Sequence, residues 1–271
     1  MLPDFLSDIL IMLAPVPTVC DGVTANGVLW QAAPDRFLLD IPGVARYLVD
    51  SGRKVTIEHV QSGDEAVVEY FFRMSPLAAL LYQRGQVVLH AAAVADERGA
   101  VLLAGESCAG KSVLLAALLK RGWKMLADDL VAISLDGQGR LQVMPTYPDI
   151  ALWPGAATKL ELDPALLRFC DANRYGFALP EQFADQPLPL RAIYWLNIHN
   201  KRSADLVPLA EKDYFRAVGT FLYNSQIADA LMDRAAYLRC VSAIANTVPI
   251  HSLCRPRSTW SSDALADLVA Q

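Results

Sequence analysis

Residues 105–112 read Gly-Glu-Ser-Cys-Ala-Gly-Lys-Ser and match the pattern G-x-x-x-x-G-K-[ST]. The two glycines allow backbone angles that are closed to other residues, so successive N–H groups can turn inward and form a cradle for an anion. Lys111 would set a positive charge against phosphate oxygens, and the hydroxyl of Ser112 would bind Mg²⁺. The octet therefore predicts a site for a nucleoside triphosphate with Mg²⁺. The residues expected to bind it are Gly105, Glu106, Ser107, Cys108, Ala109, Gly110, Lys111, Ser112 and Val113.

The segments on either side of this octet have the secondary structure that a phosphate loop needs. Residues 99–104 form a short apolar run typical of a buried strand. Residues 113–120 predict a helix whose N-terminal dipole would add partial positive charge beneath the phosphates, and Gly122 would end it. A strand, a glycine-containing loop and a helix therefore follow one another in the required order.

Two adjacent acidic residues, Asp128 and Asp129, end the next apolar run. A strand at 100–104, a helix at 111–121 and a strand at 124–128 predict one βαβ unit, so both strands end at the same edge of the sheet. We expect at least one of the two carboxylates to face the nucleotide there; the alternative is a turn or a helix cap at a strand end. Motor ATPases usually have a glutamate after the strand-end aspartate, and a second aspartate favours transfer of the phosphoryl group to a hydroxyl over hydrolysis.

His90 is the third candidate for the chemistry. Residues 86–94 and 100–104 predict two strands joined by a turn at residues 97–98. In the resulting hairpin His90 lies opposite Gly105, to within a residue or two of register. The imidazole would then lie near the phosphate loop, whereas a lone histidine in a strand usually has a structural role.

The composition limits the classes of partner. The 271 residues carry a formal net charge of -5 at pH 7, which argues against nucleic acid because binding to a phosphate backbone draws on basic surface. Apolar stretches fall short of the roughly 18 residues that span a bilayer, so we expect no membrane segment. The cysteines are odd in number and lack metal or disulfide spacing, which favours reduced thiols in a cytoplasmic protein. They are Cys20, Cys108, Cys170, Cys240 and Cys254.

The pattern along the chain changes near residues 75–85. Before that point, strand-like segments separated by turn residues begin near residue 27, and the last of them is 66–72. Beyond it, strands alternate with the phosphate loop and with helices. The sequence thus predicts an α/β protein, with a small β-rich N-terminal region over residues 1–80 and a P-loop kinase core with a mixed sheet over residues 81–271.

Three motifs, taken in order, resemble the catalytic core of the HPr kinase/phosphorylase family. They are Leu89-His90-Ala91, the octet at 105–112, and Leu126-Ala-Asp-Asp-Leu-Val-Ala-Ile133. The likeness is close over residues 80–135 and extends only in general plan to the rest of the chain. It is particularly similar to the shorter HPr-kinase-related proteins, some of which act on precursor peptides of natural products such as lasso peptides.

The resemblance implies a serine kinase that uses ATP and Mg²⁺. By this resemblance Asp128 would take the proton from the acceptor serine, with His90 hydrogen-bonded to it. Asp129 would help Ser112 to organise the metal, or would position the attacking hydroxyl, and Lys111 would hold the phosphates. The longer relatives assemble into hexamers, so a homo-oligomer is also compatible with the resemblance.

The chain departs from the longer members of that family downstream. They carry a glycine-rich signature that contributes a metal-binding acid and supports the reverse, phosphorylase reaction, whereas residues 146–154 read Thr-Tyr-Pro-Asp-Ile-Ala-Leu-Trp-Pro. This difference argues against phosphorylase activity and against HPr as the substrate. Asp149 or Glu161 could replace the missing ligand, although such acids are usually solvated. Arg255 and Arg257 follow a strand and could reach phosphates, but no pattern assigns them a role.

Three functions remain open from the sequence. The first is a kinase that phosphorylates a serine of a peptide or small protein, with a lasso-peptide precursor as one such substrate. The second is a nucleotide-binding regulatory module without turnover, against which the combination of Lys111, Ser112, Asp128 and His90 argues. The third is a kinase of free serine or of a sugar, which a narrow pocket would favour over the open groove that a peptide needs.

Overall fold

The computed structural model of this chain describes residues 4–59, 65–170, 174–257 and 259–271. The chain divides into two compact units, the first containing Met1–Val88 and Leu222–Arg239 and the second containing Leu89–Phe221 and Cys240–Gln271. The first unit therefore includes residues 81–88 and 222–239, which lie beyond the boundary predicted near residue 80. The division into an N-terminal region over residues 1–80 and a catalytic domain over residues 81–271 stays a prediction.

Short strands and helices make up both units. The strands are β1 (Leu10–Leu13), β2 (Ala25–Asn26), β3 (Trp30–Ala33), β4 (Arg36–Ile41), β5 (Ala45–Asp50), β6 (Lys54–His59), β7 (Val87–Leu89), β8 (Ala91–Asp96), β9 (Gly99–Gly105), β10 (Lys124–Ala127), β11 (Val131–Leu135), β12 (Leu141–Met144), β13 (Asp149–Leu152), β14 (Leu167–Cys170), β15 (Tyr175–Ala178), β16 (Leu188–His199), β17 (Asp205–Pro208) and β18 (Ile250–Pro256). The helices are α1 (Glu65–Phe72), α2 (Ser75–Gln83), α3 (Lys111–Leu119), α4 (Pro154–Lys159), α5 (Tyr214–Thr220), α6 (Ser225–Leu231), α7 (Arg234–Thr247) and α8 (Ser262–Ala270).

The first unit contains a sheet with the strand order β1–β6–β5–β4–β3–β2. Strands β2 to β6 form an antiparallel meander, and β1 pairs in parallel with β6. Side chains alternate between buried and partly exposed along β5, as expected for a sheet with one face against a core. Tyr47 is buried in that core, and its hydroxyl donates a hydrogen bond to the carbonyl oxygen of Val68 at 2.8 Å. This bond ties α1 to the sheet.

Residues 66–72 belong to helix α1, although their composition predicts a strand. The buried side chains of this helix are Val68 and Phe72, and residues four positions apart lie on the same face of a helix. β-Branched and aromatic residues favour strands in general, but the helical spacing of the apolar side chains decides the conformation here. The prediction of a strand over these residues is wrong.

In the second unit the strand that enters the phosphate loop, β9, is buried along its whole length. It lies between β8, which is antiparallel to it, and β16, which is parallel to it. Ala91 pairs with Ala104 and Asp96 with Gly99, which confirms the register predicted for this hairpin. On its other side β16 pairs in parallel with β18. The C-terminal ends of β9, β16 and β18 therefore lie at one edge of the sheet.

Strand β10 brings the two aspartates to that same edge. It pairs antiparallel with β8, and since β8 is itself antiparallel to β9, strands β9 and β10 run in the same direction. The predicted βαβ arrangement is confirmed, with β8 lying between its two strands. Helices α3 and α8 pack together, and their side chains share one hydrophobic core that includes Leu114, Leu118, Leu265 and Val269.

The α/β class, the mixed sheet and the β-rich N-terminal region are confirmed. The second unit also contains a three-stranded sheet with the order β13–β15–β14, and its strand β13 contacts α3. Among the helices that the structure describes, none is long and apolar enough to cross a membrane.

Candidate active site

The phosphate loop leaves β9 at Gly105 and enters α3 at Lys111. Gly105 has a φ of 148°, and a Cβ atom there would lie 2.8 Å from the carbonyl oxygen of Leu196 on the neighbouring strand β16. Gly110 caps the N-terminus of α3 with a φ of 109°. Both glycines of the pattern are thus required by their backbone angles, and Gly105 also by close backbone packing. The loop is thereby held at a helix N-terminus, where N–H groups and the helix dipole favour an anion.

Lys111 is folded back against this loop. Its Nζ donates hydrogen bonds to the carbonyl oxygens of Gly105 at 3.0 Å and Glu106 at 3.2 Å, and only 7% of the residue is exposed. Burial lowers the pKa of Lys111, while the negative charges of Asp129 and Asp128 oppose this effect. The ammonium group is therefore held at the loop and close to both carboxylates.

Asp128 follows β10 directly and reaches the first turn of α3. The hydroxyl of Ser112 donates a hydrogen bond to Oδ1 of Asp128 at 2.9 Å, and the N–H of Ala151 on β13 donates to Oδ2 at 3.2 Å. Burial and the neighbouring charge of Asp129 raise the pKa of Asp128 to about 6, against the effect of these two hydrogen bonds. Asp128 and Ser112 thus form a pair of oxygen groups at the start of the helix.

Asp129 lies at a turn that interrupts the strand. Its φ is 70°, and the N–H of Leu130 donates a hydrogen bond to the carbonyl oxygen of Asp128 at 2.9 Å, which are features of a γ-turn with the rarer, strained sign of φ. Nε2 of His90 lies 3.0 Å from Oδ1 of Asp129. Burial alone would raise the pKa of Asp129, but the hydrogen bond and charge of His90, together with the charges of Arg174 and Lys111, outweigh it and hold the pKa below its ordinary value.

The contacts of Nε2 of His90 and of the Ser112 hydroxyl differ from the pairing that the family resemblance implied. His90 was expected to be hydrogen-bonded to Asp128, but its Nε2 contacts Asp129. Ser112 was expected to share a metal with Asp129, but its hydroxyl is bonded to Asp128. The physical reason is the turn at Asp129, because a positive φ there gives the two neighbouring side chains directions that a regular strand would not give them.

One cavity, with a volume of about 430 Å³, is lined by most groups of the site, and Asp128 lies behind its wall, bonded to Ser112 and Ala151, which do line it. Its size is in the range of small-molecule sites, which are roughly 300–1,000 Å³. Of the residues predicted to bind nucleotide, those that line it are Ser107, Cys108, Gly110, Lys111, Ser112 and Val113. His90 and Asp129 also line it, as do the exposed tryptophans Trp153 and Trp260. The cavity therefore joins the phosphate loop to the histidine–aspartate pair.

Arg255 braces the loop from the end of β18, a role that the sequence did not indicate. Its Nε donates a hydrogen bond to the carbonyl oxygen of Ala109 at 2.8 Å, and its Nη2 donates to that of Cys108 at 3.3 Å. The one sequence signal was its position just after a predicted strand. That signal becomes informative only once β18 is known to lie parallel to β16 at the loop edge of the sheet.

Arg255→Gln is expected to weaken nucleotide binding about tenfold. Hydrogen bonds from a charged group contribute roughly 1.5–3 kcal/mol. Without them the loop is less ordered, and ordering it when the nucleotide binds costs part of that free energy. The measurement is the Kd of Mg·ATP. Arg257→Gln is the matched control, because Arg257 is an exposed arginine two residues away, and its Kd should stay within about twofold of wild type. Equal Kd values for the two variants would contradict a bracing role for Arg255.

Asp128→Asn is expected to stabilise the protein at neutral pH in the absence of metal and nucleotide. The folded-state pKa of about 6 lies above the ordinary value of 3.8, so the charged form disfavours folding by an amount that grows between these two pH values and is complete above the higher one. We expect the free energy of unfolding at pH 7.5 to rise by about 1 kcal/mol, or the Tm by about 2–4 °C. The gain is no larger because the asparagine amide has one oxygen acceptor fewer than the carboxylate. Thermal melts from pH 4 to pH 8 in EDTA measure it, and the gain should vanish toward pH 4.

A second aspartate provides a control of opposite sign for these melts. The backbone N–H and the side chain of Arg140 donate hydrogen bonds to Asp136 and lower its pKa to about 2. Asp136→Asn should therefore lower the Tm at neutral pH, where Asp128→Asn raises it. Equal shifts in the two variants would show that the environment of Asp128 does not disfavour its charge.

Neither acid considered as a replacement metal ligand lines this cavity. Oδ1 of Asp149 is 3.8 Å from Nε of Arg168, and the Glu161 side chain is 86% exposed, 4.0 Å from Lys120. Within the residues that the structure describes, no group of three or more His, Cys, Asp or Glu side chains is arranged to hold a metal ion. Asp128 is the acid hydrogen-bonded to Ser112.

Comparison with known proteins adds little to this site. No family model matches the chain, and no curated protein matches it significantly. A solved structure that matches is the Hpr(Ser) kinase/phosphatase from Coxiella burnetii, with a TM-score of 0.35 and 13% sequence identity over 67% of this chain and 90% of that chain. A match at this level carries no argument about activity, so the function has to be derived from the residues of the site.

Proposed function

We propose that this chain is an ATP-dependent kinase that transfers the γ-phosphate to a serine hydroxyl of a peptide or small protein. The observation that carries the proposal is the cavity where the phosphate-loop lysine Lys111 and the hydroxyl of Ser112 meet the His90–Asp129 pair. A site that only binds nucleotide needs the loop alone. A carboxylate held by a histidine on the wall of the same cavity adds a group that can take a proton.

The phosphates and the metal would be held by the loop and by Asp128. Lys111 and the loop N–H groups would bind the β- and γ-phosphates. Ser112 and Asp128 present oxygen atoms 2.9 Å apart, and oxygen is the ligand that Mg²⁺ prefers, so the residues fit this ion. When bound, Mg²⁺ supplies positive charge that offsets the charge of the phosphate oxygens.

Asp129 would accept the proton of the attacking hydroxyl, while His90 fixes one of its carboxylate oxygens. The lowered pKa keeps Asp129 ionised at neutral pH, and in phosphoryl transfer the protein mainly positions groups rather than deprotonating them early. Asp129 would thus be the proton acceptor, and Asp128 would be a ligand of Mg²⁺. This assignment reverses the roles implied by the family resemblance, because the hydrogen bonds of the two residues are reversed.

The choice of serine as acceptor comes from the motifs rather than from the cavity. The segments 89–91, 105–112 and 126–133 resemble those of serine kinases of the HPr kinase type. The finer proposal, by the same resemblance, is a ribosomally made precursor peptide of the lasso type. Free serine or a sugar would reach the same cavity, so the acceptor has to be found by experiment.

The test is a transfer assay with γ-labelled ATP and Mg²⁺. The acceptors are a peptide with an internal serine, a peptide that ends in serine, free serine and a sugar, with a serine-to-alanine peptide as the control. The proposal expects label on a serine peptide and none on the alanine peptide. Label on free serine or the sugar alone would identify a small-molecule kinase, and ATP binding without transfer to any acceptor would favour a regulatory module.

A further inference from the structure

The sheet order puts two parts of the cavity wall on opposite sides of the phosphate loop. His90 precedes β8 and Asp129 follows β10, whereas Trp260 belongs to the segment that follows β18. From β8 to β18 the order is β8–β9–β16–β18, which spans about 14 Å at the usual spacing between strands. The phosphate loop, at the end of β9, lies between them. The cavity thus has an acidic side and a side formed by the C-terminal segment.

The C-terminal segment is firmly attached to the loop and to its helix. Arg255 donates hydrogen bonds to the loop carbonyls of Ala109 and Cys108. Farther along, α8 packs against α3, and Arg121 donates hydrogen bonds to Asp263 at 3.2 Å and Asp267 at 2.8 Å. Trp260 lies between these two anchors. Contacts to the loop and to α3 therefore lie on both sides of Trp260 along the chain.

Trp260 presents an aromatic ring to the cavity. The residue is 42% exposed, and Nζ of Lys159 lies 4.9 Å from the centroid of the ring. Lys159 does not line the cavity, so this cation contacts Trp260 from outside it. A large exposed aromatic side chain in the wall of a ligand-sized cavity is typical of a surface that stacks on a planar ligand.

The geometry of phosphoryl transfer decides which part of a nucleotide would meet this ring. The attacking and leaving oxygens lie roughly in line on either side of the γ-phosphorus. If Asp129 lies on the side of the acceptor hydroxyl, the rest of the nucleotide must lie on the opposite side of the γ-phosphorus. Trp153 also lines the cavity, but it lies two residues from Ala151, whose N–H is bonded to Asp128. Because Trp260 follows β18, at the opposite end of the strand order from Asp129, we assign Trp260 rather than Trp153 to the nucleoside side.

We propose that Trp260 is the stacking platform for the base of the bound nucleoside triphosphate. This inference rests on the proposed function for the direction in which the nucleotide lies. Stacking on an aromatic ring depends on ring area and tolerates different bases, since every base has a π-face. Trp260 would therefore add affinity for nucleotides over inorganic triphosphate without choosing strongly between ATP and GTP.

The experiment compares ligands that share the triphosphate and differ in the base. Kd values are measured by calorimetry for Mg·ATP, Mg·GTP and Mg·tripolyphosphate on wild type, Trp260→Leu, Trp260→Phe and Trp153→Leu. Phe215→Leu is the control, because Phe215 is an exposed aromatic residue that does not line the cavity. Circular dichroism melts verify that each variant is folded, and Trp260→Phe retains a ring if the leucine variant is unstable.

The expected result is that Trp260→Leu raises the Kd of both nucleotides about tenfold or more, leaves that of tripolyphosphate unchanged, and is largely rescued by phenylalanine. Phe215→Leu should change nucleotide Kd by no more than about twofold, and Trp153→Leu should raise it less than Trp260→Leu does. An unchanged ATP Kd in Trp260→Leu, or an equal loss for tripolyphosphate, would overturn the inference. If wild type binds neither of the two nucleotides nor tripolyphosphate, the proposed function itself is wrong. If wild type binds ATP but transfers no phosphate, the proposed kinase activity is wrong. The Kd values of the Trp260 variants would still test whether Trp260 stacks on the base.

Discussion

Replacing Lys111 with alanine is expected to lower the rate of phosphoryl transfer by at least about 10²–10³-fold, the usual cost of removing one group that stabilises charge in a transition state. Lys111 is the cation that the structure holds within the loop, through hydrogen bonds to the carbonyl oxygens of Gly105 and Glu106. A phosphate in the cradle would draw the ammonium from these carbonyls to its own oxygens. The alanine variant has no replacement for that charge. Single-turnover transfer from γ-labelled ATP measures the loss, and calorimetry measures the accompanying loss of affinity.

Two further variants separate the charge of Lys111 from its effect on folding. Lys120→Ala removes a half-exposed lysine just beyond the end of the same helix, 4.0 Å from Glu161, and it should leave transfer within about twofold of wild type. Lys111→Met keeps the length of the side chain without the charge and should be as inactive as the alanine variant. A methionine variant with wild-type transfer would show that the phosphates do not meet this residue.

The phosphate loop and its neighbours were predictable because local sequence determines them. The φ angles of Gly105 and Gly110 suit glycine, and the apolar run before the octet forms a strand buried on both faces. The hairpin register followed from the turn at residues 97–98, since a tight turn fixes which residues pair along two antiparallel strands. In these places the local pattern and the final structure agree.

Arg255 and Trp260 could not be assigned a role from the sequence, because their positions depend on tertiary pairing. Arg255 reaches the loop since β18 lies beside β16 and β16 beside β9, and no local pattern near residue 255 specifies those neighbours. A single tryptophan before a helix carries no periodic signal either. Residues 66–72 show the opposite case, in which strand-forming side chains adopt a helix because Val68 and Phe72 share one buried face.

The hydrogen-bond partners of Asp128 and Asp129 could not be predicted from the sequence, because they depend on a local turn of the backbone. A regular strand through Asp128 and Asp129 would send their side chains to opposite faces. The strand ends at Ala127 instead, and the positive φ of Asp129 turns the chain. Aspartate adopts a positive φ more often than most residues other than glycine, but the residue type alone does not specify this angle. Strain of this kind is found most often at functional sites.

Asp129→Asn is expected to reduce transfer by about 10²–10⁴-fold, the contribution of a positioned acid or base, while the Kd of Mg·ATP stays within about threefold. The amide can still meet His90 but cannot take a proton. Asp128→Asn should behave differently, because Asp128 is the residue bonded to Ser112. Its expected defect is a shift of the Mg²⁺ dependence to higher concentration, with transfer partly restored when Mg²⁺ is raised. Rates measured against Mg²⁺ for the two variants side by side decide the assignment. If Asp128→Asn is the variant that no amount of Mg²⁺ restores, and Asp129→Asn the one that responds to it, the roles implied by the family resemblance are correct and those drawn from the hydrogen bonds are not.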